Sequence, residues 1–160
     1  MQPELSPTMD TAKPRQSRRH VVLVAGGSGI TPLYSIASAL LHCEPWTTIS
    51  LLHCDFSAEQ MRMRAELEQL VERGRGRLQV IHMLEHGAEA MDAHPGRLDT
   101  SSATTLLELL AGGEPAKYYL CGPPGMMDVV HAALRALRVP DSWVFEERLD
   151  SFAPILKNDD

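Results

Sequence analysis

From His20 onward the chain alternates between short apolar runs and longer segments of helical periodicity, after an opening stretch that shows neither. The runs lie around residues 20–25, 47–54, 78–84, 117–121 and 143–146, and each reads as a strand of a buried, parallel-type sheet. Between most of them, apolar positions recur at helical spacing. Leu33, Ile36, Ala37, Leu40 and Leu41 make one continuous stripe, with Thr31 as the expected cap and Pro32 in the first turn. A second helix is expected from Ser57, with Gln60 in the capping-box position, to about Gly74, burying Met63, Leu67, Leu70 and Val71. Residues 85–100 contain Gly87, Pro95 and Gly96 and read as a loop, after which a short third helix turns Leu106, Leu107 and Leu110 inward. The last helix starts at Pro123-Pro124, repeats Met127, Val130, Leu134 and Leu137, and is ended by Pro140.

Strands and helices in alternation predict an α/β domain, a doubly wound five-stranded parallel sheet in the order 3-2-1-4-5 with helices on both faces. Residues 20–150 would form it. Residues 1–19, rich in Pro, Ser, Gln and charge, and residues 151–160 would be tails. In this strand order the first and fourth strands are neighbours, and their carboxyl ends meet where such sheets bind ligands.

Both of those ends carry a glycine/proline loop. Val21 to Ala25 runs into Gly26-Gly27-Ser28-Gly29-Ile30-Thr31-Pro32, and Tyr118-Tyr119-Leu120 runs into Cys121-Gly122-Pro123-Pro124-Gly125-Met126. Glycines allow close backbone approach by a ligand, and the helix that follows each loop points unpaired N–H groups and its positive dipole end at an anion such as a pyrophosphate. The first loop has the spacing G-x-G-x-x-P, so proline sets the helix start where the common dinucleotide fingerprint has a third glycine. A tight strand-to-helix turn without a ligand is the plain alternative. In the second loop, the small polarizable Cys121 thiol leaves room for a flat ring, or is simply a small buried hydrophobe.

Composition narrows the partners. With 15 Lys and Arg against 21 Asp and Glu, a net charge of -6 and no long basic run, neither nucleic acid nor an anionic membrane is an expected partner. No segment approaches the ~20 apolar residues of a membrane span, and the amino terminus lacks a secretory apolar stretch, so a soluble cytoplasmic protein is expected. Cys43, Cys54 and Cys121 form no C-x-x-C pair and are too few for a zinc or iron–sulfur site. Redox chemistry would therefore use a bound organic cofactor, or a cluster carried elsewhere.

The two loops, their order and their separation resemble the NAD(P)-binding half of the ferredoxin-NADP reductase superfamily, most of all the reductase components of bacterial oxygenases. The resemblance covers about residues 20–150: the A-G-G-x-G-I-T-P loop, the Y-Y-x-C-G-P-P strand and loop, and Phe145-Glu146-Glu147-Arg148-Leu149, similar to the family's terminal E-R-F with Leu149 in place of the aromatic. It implies that Gly27, Ser28, Gly29, Ile30, Thr31 and Pro32 hold the pyrophosphate and nicotinamide side. Cys121 would lie near the hydride-donating carbon with Gly122, Pro123 and Met126 beside it, and Glu147 would help position the nicotinamide. The implied activity is hydride transfer from NAD(P)H to FAD, with electrons passing on to an iron–sulfur or haem partner.

Two departures refine this. After the second strand stand Asp55 and Phe56, where such proteins often carry Asn-Arg. A carboxylate accepts hydrogen bonds from a ribose diol and repels a phosphate, which favours NADH, although Arg62 and Arg64 follow closely enough to rescue NADPH. The family's R-x-[YF]-[ST] flavin strand is not found in this sequence, so FAD is expected on a separate domain or chain, and the chain alone is expected to bind dinucleotide without turning it over. A module that senses the nucleotide without redox turnover is the alternative.

One rival comes from another class. His82-Met83-Leu84-Glu85-His86 matches the zinc-protease pattern H-x-x-E-H, but residues 78–84 read as a strand. On a strand the two histidines share a face roughly 13 Å apart, too far for easy chelation.

Overall fold

The computed structural model describes residues 18–147. Arg148, Leu149 and both expected tails, save Arg18 and Arg19, lie outside the described residues. Among the described residues six parallel strands form one sheet: β1 (Arg19–Gly26), β2 (Thr47–Ser57), β3 (Leu78–His86), β4 (His94–Pro95), β5 (Lys117–Cys121) and β6 (Val144–Glu146). Their order is β4-β3-β2-β1-β5-β6. Four helices connect them: α1 (Ile30–Cys43), α2 (Arg64–Gly74), α3 (Thr100–Ala111) and α4 (Pro124–Ala136).

The alternation of side chains along β1 sorts the core into two layers. Val21, Leu23 and Ala25 pack with Leu33, Ala37 and Leu41 of α1 and Leu67 and Leu70 of α2. Val22 and Val24 pack with Leu106, Leu107 and Leu110 of α3 and Met127, Val130 and Leu134 of α4. All five of these β1 side chains are fully buried, which is why the strand reads as an unbroken apolar run rather than an alternating one.

Three expectations need correction. The sheet has six strands, because the stretch read as a loop contains β4, which pairs Met83 with His94 and Leu84 with Pro95. Proline is tolerated there since β4 is an edge strand. The second helix begins at Arg64, not Ser57: β2 runs on to Ser57, which pairs with His86, and the Ser57 hydroxyl accepts the Gln60 N–H at 3.4 Å in a turn. Pairing with β3 thus overrides a local capping pattern. The first helix starts at Ile30 with Gly29 as its N-cap, so Thr31 lies inside the first turn.

Arg77, just before β3, ties this half of the sheet to α1. Its guanidinium donates to the carbonyls of Leu41 at 2.7 Å, Glu44 at 2.8 Å and Thr47 at 3.3 Å, satisfying acceptors around the helix end where cations are favoured. Arg77→Leu is expected to lower stability by about 3 kcal/mol, as several hydrogen bonds to a charged donor disappear. Urea denaturation checks this, and an unchanged midpoint would mean that water replaces the side chain.

Candidate functional site

β1 and β5 are adjacent and in register, Ala25 opposite Cys121, so their loops emerge together at the carboxyl edge of the sheet. The glycines let these loops touch. A Cβ on Gly29 would stand 2.5 Å from the Cys121 carbonyl carbon, and one on Gly122 would stand 3.2 Å from the Gly26 nitrogen. Gly27 differs from both: it has φ +55°, in the left-handed region, and its missing Cβ would meet nothing within 4 Å.

Gly27 opens onto a cleft of about 480 Å³ on the α3/α4 side of the sheet. Gly26 and Gly27 form one wall, Cys54, Asp55 and Phe56 at the end of β2 another, and Pro123, Gly125 and Met126 at the start of α4 a third. Met83 and Glu85 of the neighbouring β3, with Gly96, Arg97 and Leu98 after β4, extend the lining. The α4 entrance suits an anion: Pro123 caps the helix, Pro124 fills its first position, and no acidic residue lies in the first turn.

Of the residues read from the sequence, Gly27, Asp55, Phe56, Pro123 and Met126 meet in this cleft. Ser28 and Thr31 are exposed, Pro32 is half-buried, and Ile30 and Gly29 are buried; none of these lines it. Cys121 is fully buried on the α1 side, and Gly122 is half-buried between the loops. A ligand that fills the cleft reaches Cys121 only by continuing over the β1/β5 crossing. Burial, and then the nearby Glu147 carboxylate, push the Cys121 thiol up, so it stays protonated and neutral. Glu147 is exposed and anchored by its N–H to the Leu120 carbonyl at 2.9 Å, whereas Glu146 is engaged by His131 of α4.

Asp55 is less open than its place in the sequence implies. Its side chain is 9% exposed; Oδ1 accepts the Phe56 N–H at 2.8 Å and Oδ2 lies 3.8 Å from the His53 Nε2. His53 is wholly buried beneath the first loop and meets the ring of His82 edge-on at 5.5 Å. Among the described residues neither nitrogen of the His53 ring makes a hydrogen bond of normal geometry, and burial, followed by His82, lowers its pKa to about 4, while the nearby Gly27 backbone pulls weakly the other way. Cys54, on the cleft wall, is pushed up to about 12 by burial and then by Asp55, so it too is a neutral thiol.

Several cleft residues carried no sequence signal of their own. Met83 belongs to an apolar run that read as a strand, Val129 lies between the apolar positions that marked the last helix, and Glu85 and Arg97 fall within the stretch that read as a loop. Arg62 and Arg64 do not line the cleft; Arg64 pairs with Glu68 one helical turn on, at 3.4 Å. His82 and His86 sit on β3 with different partners, His82 against His53 and His86 against Phe56. Among the described residues no group of three or more His, Cys, Asp or Glu side chains gathers as a metal site would require.

Comparison with known proteins follows the same lines. The family described as "Oxidoreductase NAD-binding domain" matches residues 23–132. The chain is 30% identical over 138 residues to one of the subunits of 1,2-phenylacetyl-CoA epoxidase from Escherichia coli, covering 86% of this chain and 38% of that one. It is 30% identical over 112 residues to NADH-cytochrome b5 reductase 2 of Phaeosphaeria nodorum, covering 69% and 33%. The chain thus spans well under half the length of these relatives. Among solved structures it resembles the cytochrome b5 reductase domain of Ulva prolifera nitrate reductase, with TM-score 0.70 and 25% identity over 81% of this chain and 48% of that one. It also resembles the FAD/NAD-binding domain of a nitric oxide dioxygenase from Vibrio cholerae, with TM-score 0.69 and 27% identity over 82% and 51%. No helix among the described residues is long and apolar enough to cross a membrane.

Proposed function

Because the chain belongs to the oxidoreductase NAD-binding domain family, we propose that its cleft takes up NADH for hydride transfer to a flavin held on another domain or chain. The observation that carries this reading is the open space over Gly27, between the ends of β1 and β2 and the start of α4. That space suits a pyrophosphate, because a glycine in the left-handed region exposes backbone there and the α4 entrance adds a positive dipole end. The adenosine end would lie toward Asp55 and Phe56, and the nicotinamide end would pass over the β1/β5 crossing toward Cys121 and Glu147. Bound together, the dinucleotide and the flavin would supply the hydride and its acceptor, while the protein supplies placement.

In this arrangement Cys121, wholly buried with its thiol held protonated, backs the end of β5 beneath the nicotinamide and is neither acid nor base. Glu147 is fixed through its backbone to the end of β5, so its side chain starts from a defined place at that edge, within reach of a carboxamide there. The partners proposed are an FAD-binding domain or subunit and, beyond it, an iron–sulfur or haem acceptor. A cytochrome b5 reductase and an FAD/NAD-binding domain among the similar proteins support that pairing. NADH is proposed over NADPH because two carboxylates, Asp55 and Glu85, border the adenosine end.

Titrating the protein with NADH and following nicotinamide fluorescence tests the site: saturable one-to-one binding is expected. Absence of binding would refute the reading. With an FAD-carrying partner domain added, NADH-dependent reduction of a dye is expected, whereas the chain alone is expected to give none. Tight NADH binding with no turnover in the presence of the partner would identify a nucleotide sensor instead.

A further inference from the structure

Resting on the dinucleotide reading above, we propose that Arg97 and Glu85 form the element that discriminates a ribose 2'-hydroxyl from a 2'-phosphate. Both residues line the same cleft as Asp55 and Phe56, Glu85 on the strand next to theirs. Their backbones are fixed close together. Glu85 follows Leu84 on β3, and Leu84 accepts the Gly96 N–H at 2.9 Å, which places Arg97 directly beyond the short β4 pairing.

Their side chains are held unequally. Arg97 is 85% exposed and touches Glu85 only through Nε, 3.6 Å from Oε1, while Glu85 is 33% exposed. No other hydrogen bond or ion pair of Arg97 is formed among the described residues. Its guanidinium is therefore the one loosely held cation in the cleft lining among the described residues, and a single open ion pair tethers it. Asp55 is the opposite case: its carboxylate is tucked back toward His53 and bonded to the Phe56 N–H, so its position is fixed.

This division of labour produces selection. A hydroxyl needs one hydrogen-bond partner, whereas a phosphate dianion needs a cation with several donors, which the guanidinium fork provides. While Glu85 draws Arg97 aside, a 2'-phosphate faces two carboxylates and a divided cation. Because exposed ion pairs are weak, a phosphate can win Arg97 away at a modest penalty, which leaves NADPH as a poor ligand rather than a forbidden one.

The test is to titrate wild type, E85Q, R97Q and the double variant with NADH and with NADPH by nicotinamide fluorescence. E85Q is expected to raise NADPH affinity about fivefold, the worth of one surface ion pair, with NADH affinity changed less than about twofold. R97Q is expected to lower NADPH affinity about tenfold, as a charged hydrogen bond to phosphate is lost. In the double variant the E85Q gain should disappear. A gain that survives without Arg97 would overturn the proposal, since loss of simple repulsion would then explain it. So would single variants that leave the ratio of the two affinities unchanged. If wild type binds neither dinucleotide, the dinucleotide reading itself fails, a result distinct from both of these.

Discussion

Gly29→Ala is expected to lower stability by about 4 kcal/mol or more, enough to leave much of the protein unfolded, whereas Gly27→Ala should fold well and lose dinucleotide. The two glycines are separated only by Ser28 in the same loop, but their surroundings are opposite. A methyl group on Gly29 falls on the Cys121 carbonyl and 2.5 Å from its carbon, and both are backbone atoms that cannot rotate aside. Relief would require β1 and β5 to separate at the crossing that brings the two loops together. A methyl on Gly27 meets no protein atom, so its only structural penalty is the left-handed conformation, about 1 kcal/mol. If the pyrophosphate lies over Gly27 as proposed, the same methyl would crowd it and should weaken NADH binding about thirtyfold, corresponding to a clash of about 2 kcal/mol. Thermal unfolding and NADH titration of both variants check this. A Gly27→Ala protein with unaltered affinity would remove the pyrophosphate from this wall, and a Gly29→Ala protein of normal stability would contradict the packing of the loops.

That contrast shows what a glycine motif conceals when read from sequence. The pattern Gly27-x-Gly29 marks a loop that needs glycines, but not whether each faces a ligand or another strand. Here Gly29 serves the contact between the loops, and Gly27 serves the opening. Other parts were legible because they rest on periodicity. β1 is apolar at every position from Val21 to Ala25 and is central in the sheet; α4 repeats its apolar residues and starts at the proline pair, although it ends at Ala136, before the Pro140 expected to stop it, where Arg138 turns left-handed at φ 60°. What periodicity could not supply was any feature decided by pairing between distant segments. Ser57 and Gln60 fit a helix start, yet His86 lies opposite Ser57 at the end of β3, and strand pairing prevailed. β4 has only two residues, too short for any alternation.

The site shows the same division. Asp55 and Phe56 could be placed beside the cleft because they stand at the end of a clear strand, which runs on through them to Ser57. Arg97 could not, because its position depends on a turn at Gly96, with φ +106°, and on one hydrogen bond back to Leu84. Arg64, near enough in sequence to be considered, faces along α2 toward Glu68 instead. Nor did the sequence reveal that Asp55 shares its carboxylate with the surroundings of a buried histidine. His53 occupies a position between Leu52 and Cys54 in an otherwise apolar run, so it reads as an interruption of the strand rather than as a buried group.

His53 makes the fold acid-sensitive in a definite range. Its pKa falls from an ordinary 6.5 to about 4, first because burial penalises the charged ring and then because His82 lies beside it. Between those two values the unfolded chain binds a proton that the folded chain refuses, so stability is complete above about pH 6.5 and declines as pH falls toward 4. The linked change over that window is about 3 kcal/mol, a large share of the stability of a domain this size. His82 acts in the same sense, its pKa lowered by burial and by Arg64 with Glu68 opposing, so some slope should remain when His53 is removed. His53→Leu is therefore expected to flatten the stability profile between pH 6.5 and 4 relative to wild type. At pH 7.5 the variant should be as stable or more so, because two buried ring nitrogens that make no hydrogen bond of normal geometry among the described residues are replaced by apolar surface. Urea unfolding at half-unit pH steps measures both effects. Parallel profiles for the two proteins would show that His53 titrates normally and that the ring reaches water from its place beneath the loop.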